Sequence, residues 1–109
     1  MAEGQPAAGK VMGKVLMYCT EICPYCVRAE RLLRARGVVE IEKIRVDLQP
    51  ELRVAMVEKT GRRTVPQIYI GTHHVGGYDD LAALEHSGEL TKLLNSETVI
   101  DLGNLRIEQ

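Results

Sequence analysis

The sequence predicts one α/β domain, a mixed four-stranded sheet with helices on both faces, in the order β-α-β-α-β-β-α. Val15 to Cys19 is a continuous apolar run, the pattern of a short strand buried on both faces. Two helical stretches each open on a proline and stop at a glycine, Pro24 to Arg36 before Gly37 and Pro50 to Gly61. Gly71-Thr72 sits between two short runs, Gln67 to Ile70 and His73 to Gly76, as the two-residue turn of a hairpin.

The elements follow from these signals in chain order. Residues 1–13 are small, polar and glycine-rich, and read as a loose leader. In the first helix, Ala29, Leu32 and Leu33 fall at the spacing of one core-facing stripe. Val38 to Val46 reads as the second strand, with Ile44 and Val46 alternating against Lys43 and Arg45. A helical crossover joins the first two strands, so they should be parallel. The Gly76-Gly77 pair breaks the last strand, and Asp79 or Asp80 is the expected cap of a helix running to about Ser87. Gly88 to Leu94 is a further helical stretch, which closes a domain over 14–94. Beyond it, Val99, Ile100, Leu102, Leu105 and Ile107 make residues 95–109 too apolar for a random tail, and no role follows from sequence for that extension.

Composition narrows the function. A chain of 109 residues supports one modest core, and with no Phe and no Trp that core rests on Val, Ile, Leu and Met. A net charge of −1 lacks the basic surface that nucleic acid requires. No run of about 18 apolar residues is long enough to span a membrane, and the N-terminus lacks the apolar stretch of a secretory signal. A reducing cytosol and a monomer are the expectation, and clustered cysteines in that compartment are catalytic or metal-binding.

The cysteines lie in CTEICPYC, residues 19–26. Cys23-Pro24-Tyr25-Cys26 falls where the first strand turns into the first helix. With Pro24 at the first helical position, Cys23 is the N-cap, and its sulfur meets unpaired amides and the positive end of the helix dipole. Cysteines so placed have pKa values lowered from ~8.5 into a range of roughly 3.5–7.5. Cys26, three residues on, shares that face from a more buried position. Cys23 is then the attacking thiol and Cys26 the resolving one. Cys19 ends an apolar strand and reads as structural. Cys19, Cys23 and Cys26 also spell C-x₃-C-x-Φ-C, which resembles the cluster motif of radical S-adenosylmethionine enzymes, but that family needs a far longer barrel. Adjacent His73 and His74 point to opposite faces of a strand and cannot share a metal; no metal ligands are assigned.

C-x-x-C inside a βαβ unit is the thioredoxin-like redox signature. Two further segments narrow it: TVPQI at 64–68 and GGYDDL at 76–81. Together with CPYC and the element order, these resemble dithiol glutaredoxins of the thioredoxin fold, over about residues 14 to 94. The resemblance implies a cis proline at Pro66 facing the Cys23–Cys26 pair, and a glutathione site formed by Tyr25, Arg62, Thr64, Val65, Pro66, Gly77, Tyr78 and Asp79. In it the Val65 backbone pairs with the peptide, and the Tyr78 and Asp79 amides take the γ-glutamyl carboxylate. The Asp79 carboxylate takes the amine. Arg62, or Arg63 in its stead, takes the glycyl carboxylate. Glutathione is then the reductant, and glutathionylated or disulfide-containing proteins are the partners. One position departs from the family: Thr20 stands where many relatives have a lysine. Two other classes stay in view, a thioredoxin-type reductant, disfavoured by the absence of Trp, and an iron–sulfur carrier, disfavoured by the stiff Pro24.

Overall fold

The computed structural model describes residues 14–95. The elements are β1 (Val15–Cys19), α1 (Pro24–Ala35), β2 (Ile41–Arg45), α2 (Pro50–Thr60), β3 (Gln67–Ile70), β4 (His73–Gly76) and α3 (Tyr78–Ser87). Residues 89–95 are helical again, after Gly88. The leader at 1–13 and the apolar positions Val99, Ile100, Leu102, Leu105 and Ile107 lie outside the described residues.

The sheet order is β2-β1-β3-β4. β1 runs parallel to β2, with Val15 opposite Ile41 and Cys19 opposite Arg45. It runs antiparallel to β3, with Met17 opposite Ile68, and β3–β4 is the antiparallel hairpin, with Tyr69 opposite His74. The strand period of two sorts side chains onto two faces. Val15, Met17, Cys19, Ile68 and Ile70 join Ala29 and Leu33 of α1, Leu81 of α3, and Leu90 and Leu94 in one apolar cluster. Tyr18 and Tyr69 join Val46 and Met56 in a second, under α2. Val65 packs against both. Each fully buried Leu or Met in these layers contributes about 1.5–3 kcal/mol from burial alone.

Expected boundaries move at both ends of the second strand, which spans Ile41–Arg45 and not Val38 to Val46, at the end of α1 and at the start of α3. The second strand begins at Ile41 rather than Val38 because Val38 belongs to the end of α1. The helix stops at Ala35, one residue before the expected Arg36, with Arg36 as its C-cap. Gly37 follows at φ 100°, a conformation that L side chains resist. Its N–H donates to the Arg34 carbonyl at 3.0 Å and the Val38 N–H to the Leu33 carbonyl at 3.1 Å. That is the Schellman pattern, completed by Val38 and Leu33 burying together. The last helix starts at Tyr78, with Gly77 as N-cap. Neither Asp79 nor Asp80 is the cap residue. Asp80, at the third helical position, instead reaches back to accept the Gly77 N–H at 2.9 Å.

Candidate active site

The dithiol sits where β1 ends and α1 begins. Cys23 has extended backbone, φ −148° and ψ 96°, as an N-cap must, and Pro24 follows at a position whose missing N–H would be unpaired anyway. The Val27 N–H closes the first helical turn on the Cys23 carbonyl at 3.1 Å, and the Cys26 N–H donates to Cys23 Sγ at 3.2 Å. No acidic side chain lies in the first turn of α1 to neutralise its positive end. Cys23 and Cys26 are joined in a disulfide, with Cα atoms 5.2 Å apart. Cys23 is half-buried and Cys26 is buried, so the second cysteine lies deeper than the first, as its place one turn into the helix implied. Cys19 is free and only 4% exposed. Burial pushes its thiol pKa up, against the pull of Lys43 and Arg45. Among the described residues no three His, Cys, Asp or Glu side chains gather as a metal-holding group.

Beside the dithiol, the Val65–Pro66 bond is cis, as expected for Pro66, and the Val65 carbonyl oxygen lies 3.9 Å from Cys23 Sγ. A groove of about 340 Å³ opens here, bounded by Tyr25, Arg62, Thr64, Val65, Pro66, Gly77, Tyr78, Asp79 and Asp80. The eight positions implied by sequence for a ligand therefore line one concavity. Arg63 does not; it lines a separate apolar groove along α2, with Val46, Pro50, Val54 and Val57. The rings of Tyr25 and Tyr78 stack at 6.2 Å between centroids, and the Arg28 guanidinium lies 5.4 Å from the Tyr25 ring centre.

Three features of the site were not read from the sequence. Asp80 lines the groove and binds Arg62 Nη1 at 2.9 Å. Its carboxyl is held below the usual range, first by Arg62 and then by the Gly77 amide. An acid three residues after Gly77, placed to reach back to its N–H, was the available signal. The second feature is Gln67, fully buried. Its Nε2 donates to the Thr64 carbonyl at 3.0 Å, and its Oε1 accepts from His74 Nε2 at 2.8 Å. The His74 ring also stacks on Tyr69, and burial pushes its pKa down. This polar chain ties β4 to the loop that carries Val65 and Pro66. The third is the Tyr78 ring, which supplies a wall as well as a backbone amide.

Comparison with known proteins agrees with the geometry. The glutaredoxin family model matches residues 15–75. The glutaredoxin of Pseudomonas aeruginosa is 51% identical over 85 residues, which is 78% of this chain and 100% of that protein. The solution structure of glutaredoxin from Brucella melitensis is 50% identical with a TM-score of 0.67, over 77% of this chain and 90% of that one. The crystal structure of a buckwheat glutaredoxin–glutathione complex has a TM-score of 0.72 at 27% identity, over 79% and 80% of the two chains. Related to a bacterial glutaredoxin along that protein's whole length and sharing the fold of solved ones, this chain belongs to the glutaredoxin family, thiol–disulfide oxidoreductases built on the thioredoxin fold.

Proposed function

We propose that the protein reduces protein–glutathione mixed disulfides through Cys23 and protein disulfides through Cys23 and Cys26, with glutathione as electron source. The observation that carries this is the position of Cys23 Sγ. It lies at the N-terminus of α1, accepting the Cys26 amide, and 3.9 Å from the Val65 carbonyl at the edge of the groove.

In the first reaction the Cys23 thiolate attacks the glutathione sulfur of the mixed disulfide. A Cys23–glutathione disulfide forms, and the protein thiolate leaves and takes a proton from water. The glutathionyl sulfur is then attacked by the thiolate of a second glutathione, which releases oxidised glutathione and restores the Cys23 thiolate. In the second reaction Cys23 attacks a protein disulfide, and Cys26 attacks Cys23 Sγ of the resulting adduct. The reduced protein leaves with both electrons, and two glutathiones reopen the Cys23–Cys26 disulfide.

The groove suits the tripeptide group by group. The first-turn amides of Tyr78 and Asp79 have no carbonyl partner within the helix and suit the γ-glutamyl carboxylate. The Asp79 carboxylate suits the amine, and Arg62 the glycyl carboxylate. The Val65 main chain, at the groove, suits pairing with the cysteinyl residue as one strand edge pairs with another. Thr64, Pro66 and Gly77 shape the floor, and Tyr25 the wall. Among the described residues no helix is long and apolar enough to cross a membrane. The proposed dithiol chemistry suits a reducing cytosol, and we place the protein there, as a monomer.

The test is glutathione-dependent reduction of a small-thiol–glutathione mixed disulfide, coupled to glutathione reductase. Wild type turns over and Cys23→Ser does not. Full turnover by Cys23→Ser, or none by wild type, rejects the proposal. Regeneration by a flavin-dependent thioredoxin reductase in place of glutathione would assign a thioredoxin-type role.

A further inference from the structure

We infer that Asp80 is a positioning residue that sets the Arg62 guanidinium over the groove, so that the site selects a thiol peptide with a free C-terminal carboxylate. This rests on the proposed glutathione site and deepens it.

The Asp80 carboxylate is fixed before it meets Arg62. Its Oδ2 accepts the Gly77 N–H at 2.9 Å, which anchors it to the first turn of α3. The same oxygen accepts Arg62 Nη1 at 2.9 Å. Arg62 is held at its other end too, its backbone N–H donating to Thr60 Oγ1 at 3.0 Å. A long side chain that would sample many rotamers is thus tied at both ends. One guanidinium nitrogen is engaged by Asp80, and the Nη2 and Nε hydrogens remain to meet a ligand carboxylate.

Room for this pairing comes from Gly76. At φ +113°, an added Cβ would fall 2.3 Å from Asp80 Oδ2 and 3.1 Å from Arg62 Nη1. Any other residue would push the pair apart. The charge pattern of the groove makes the placement matter. Among its lining residues Arg62 is the one cation, against Asp79 and Asp80. A ligand carboxylate arriving without a correctly placed Arg62 would face two acids.

The experiment compares two substrates, the glutathione mixed disulfide of a small thiol and the same compound with its glycyl carboxylate ethyl-esterified. The readout is the ratio of kcat/KM for free acid over ester. Wild type should prefer the acid by about fivefold, the scale of a half-exposed ion pair. Arg62→Gln should erase the preference. Asp80→Asn retains an oxygen for the Gly77 N–H but loses the ion pair, and should bring the ratio to within about twofold of unity. Combining it with Arg62→Gln should change the ratio no further. Asp80→Glu, which keeps the charge, should recover part of the preference, and added salt should weaken it in wild type. A merely structural role would slow both substrates alike and leave the ratio intact, and that result overturns the inference. A ratio that rises in Asp80→Asn overturns it as well, because Asp80 would then compete for Arg62. A wild type that favours neither substrate while turning both over overturns this inference alone. A wild type that turns over neither overturns the glutathione reading, and this one with it.

Discussion

The Cys26 backbone N–H donates to Cys23 Sγ at 3.2 Å, so in the proposed cycle the amide of the resolving residue also supports the sulfur that its own thiolate attacks. The third cysteine lies in the opposite environment. In the reduced protein, iodoacetamide at pH 6 should therefore label Cys23 first. Cys19, buried and with its thiol pushed up, should resist until the fold is opened with denaturant. Mass spectrometry of timed samples reads the order. Equal labelling of Cys19 and Cys23 in the folded protein contradicts it.

The unequal exposure of the pair predicts a split between substrates. Cys26→Ser should keep reduction of glutathione mixed disulfides, which needs the Cys23 sulfur alone. It should lose reduction of a protein disulfide, which needs an internal thiol to release the adduct. Parallel loss of both activities in the two coupled assays would refute the assigned roles.

Gln67 joins His74 to the Thr64 carbonyl. Gln67→Ala should cost about 1–3 kcal/mol, because it strands buried polar partners and leaves a void. Urea unfolding measures this as a lower midpoint at unchanged slope. The KM for the glutathione mixed disulfide should rise with it, since the loop bearing Val65 loses its brace. An unchanged midpoint would show that the polar chain contributes nothing.

Stability should fall on the acid side. Asp47, Glu30, Asp80 and Glu85 are each held below the ordinary carboxylate range, chiefly by hydrogen bonds from Arg45, Lys43, Arg62 and Arg36 in turn. In the unfolded chain they take up protons near pH 4, before the folded protein does. Their contribution is therefore complete above that pH and lost as pH drops through the lowered folded values. His74, depressed by burial, adds an earlier loss that begins below its unfolded value of 6.5. Urea midpoints from pH 8 to pH 3 should decline in that order. His74→Asn should flatten the upper part of the decline and Asp47→Asn the lower. A midpoint independent of pH would contradict the paired groups.

Most of the architecture was legible because it is written in short-range signals. Pro24, Pro50, Gly37 and Gly61 punctuate the helices, and Gly71-Thr72 sets the hairpin. The strand boundary at Val38 was not legible, since an apolar residue that ends a helix by burying against Leu33 looks like one that begins a strand. The groove was legible in outline only through the resemblance to glutaredoxins that TVP and GGYDD carry. The pairing of Asp80 with Arg62, 18 positions apart, and the fastening of His74 to Gln67 depend on how α3 and β4 dock, which a linear pattern does not carry. Arg62 was the expected cation of the groove and Arg63 its possible substitute; the fold sends Arg62 to the groove and Arg63 to the separate groove along α2.

Val65 is shared by the two apolar layers, and its carbonyl stands beside Cys23 Sγ, the proposed attacking sulfur. Repacking on either side of the sheet is consequently felt at the reacting atom. Substitutions deep under α2, at Met56 for instance, should alter turnover without touching the dithiol, and the rate of catalysis becomes a remote gauge of how tightly that distant layer is packed.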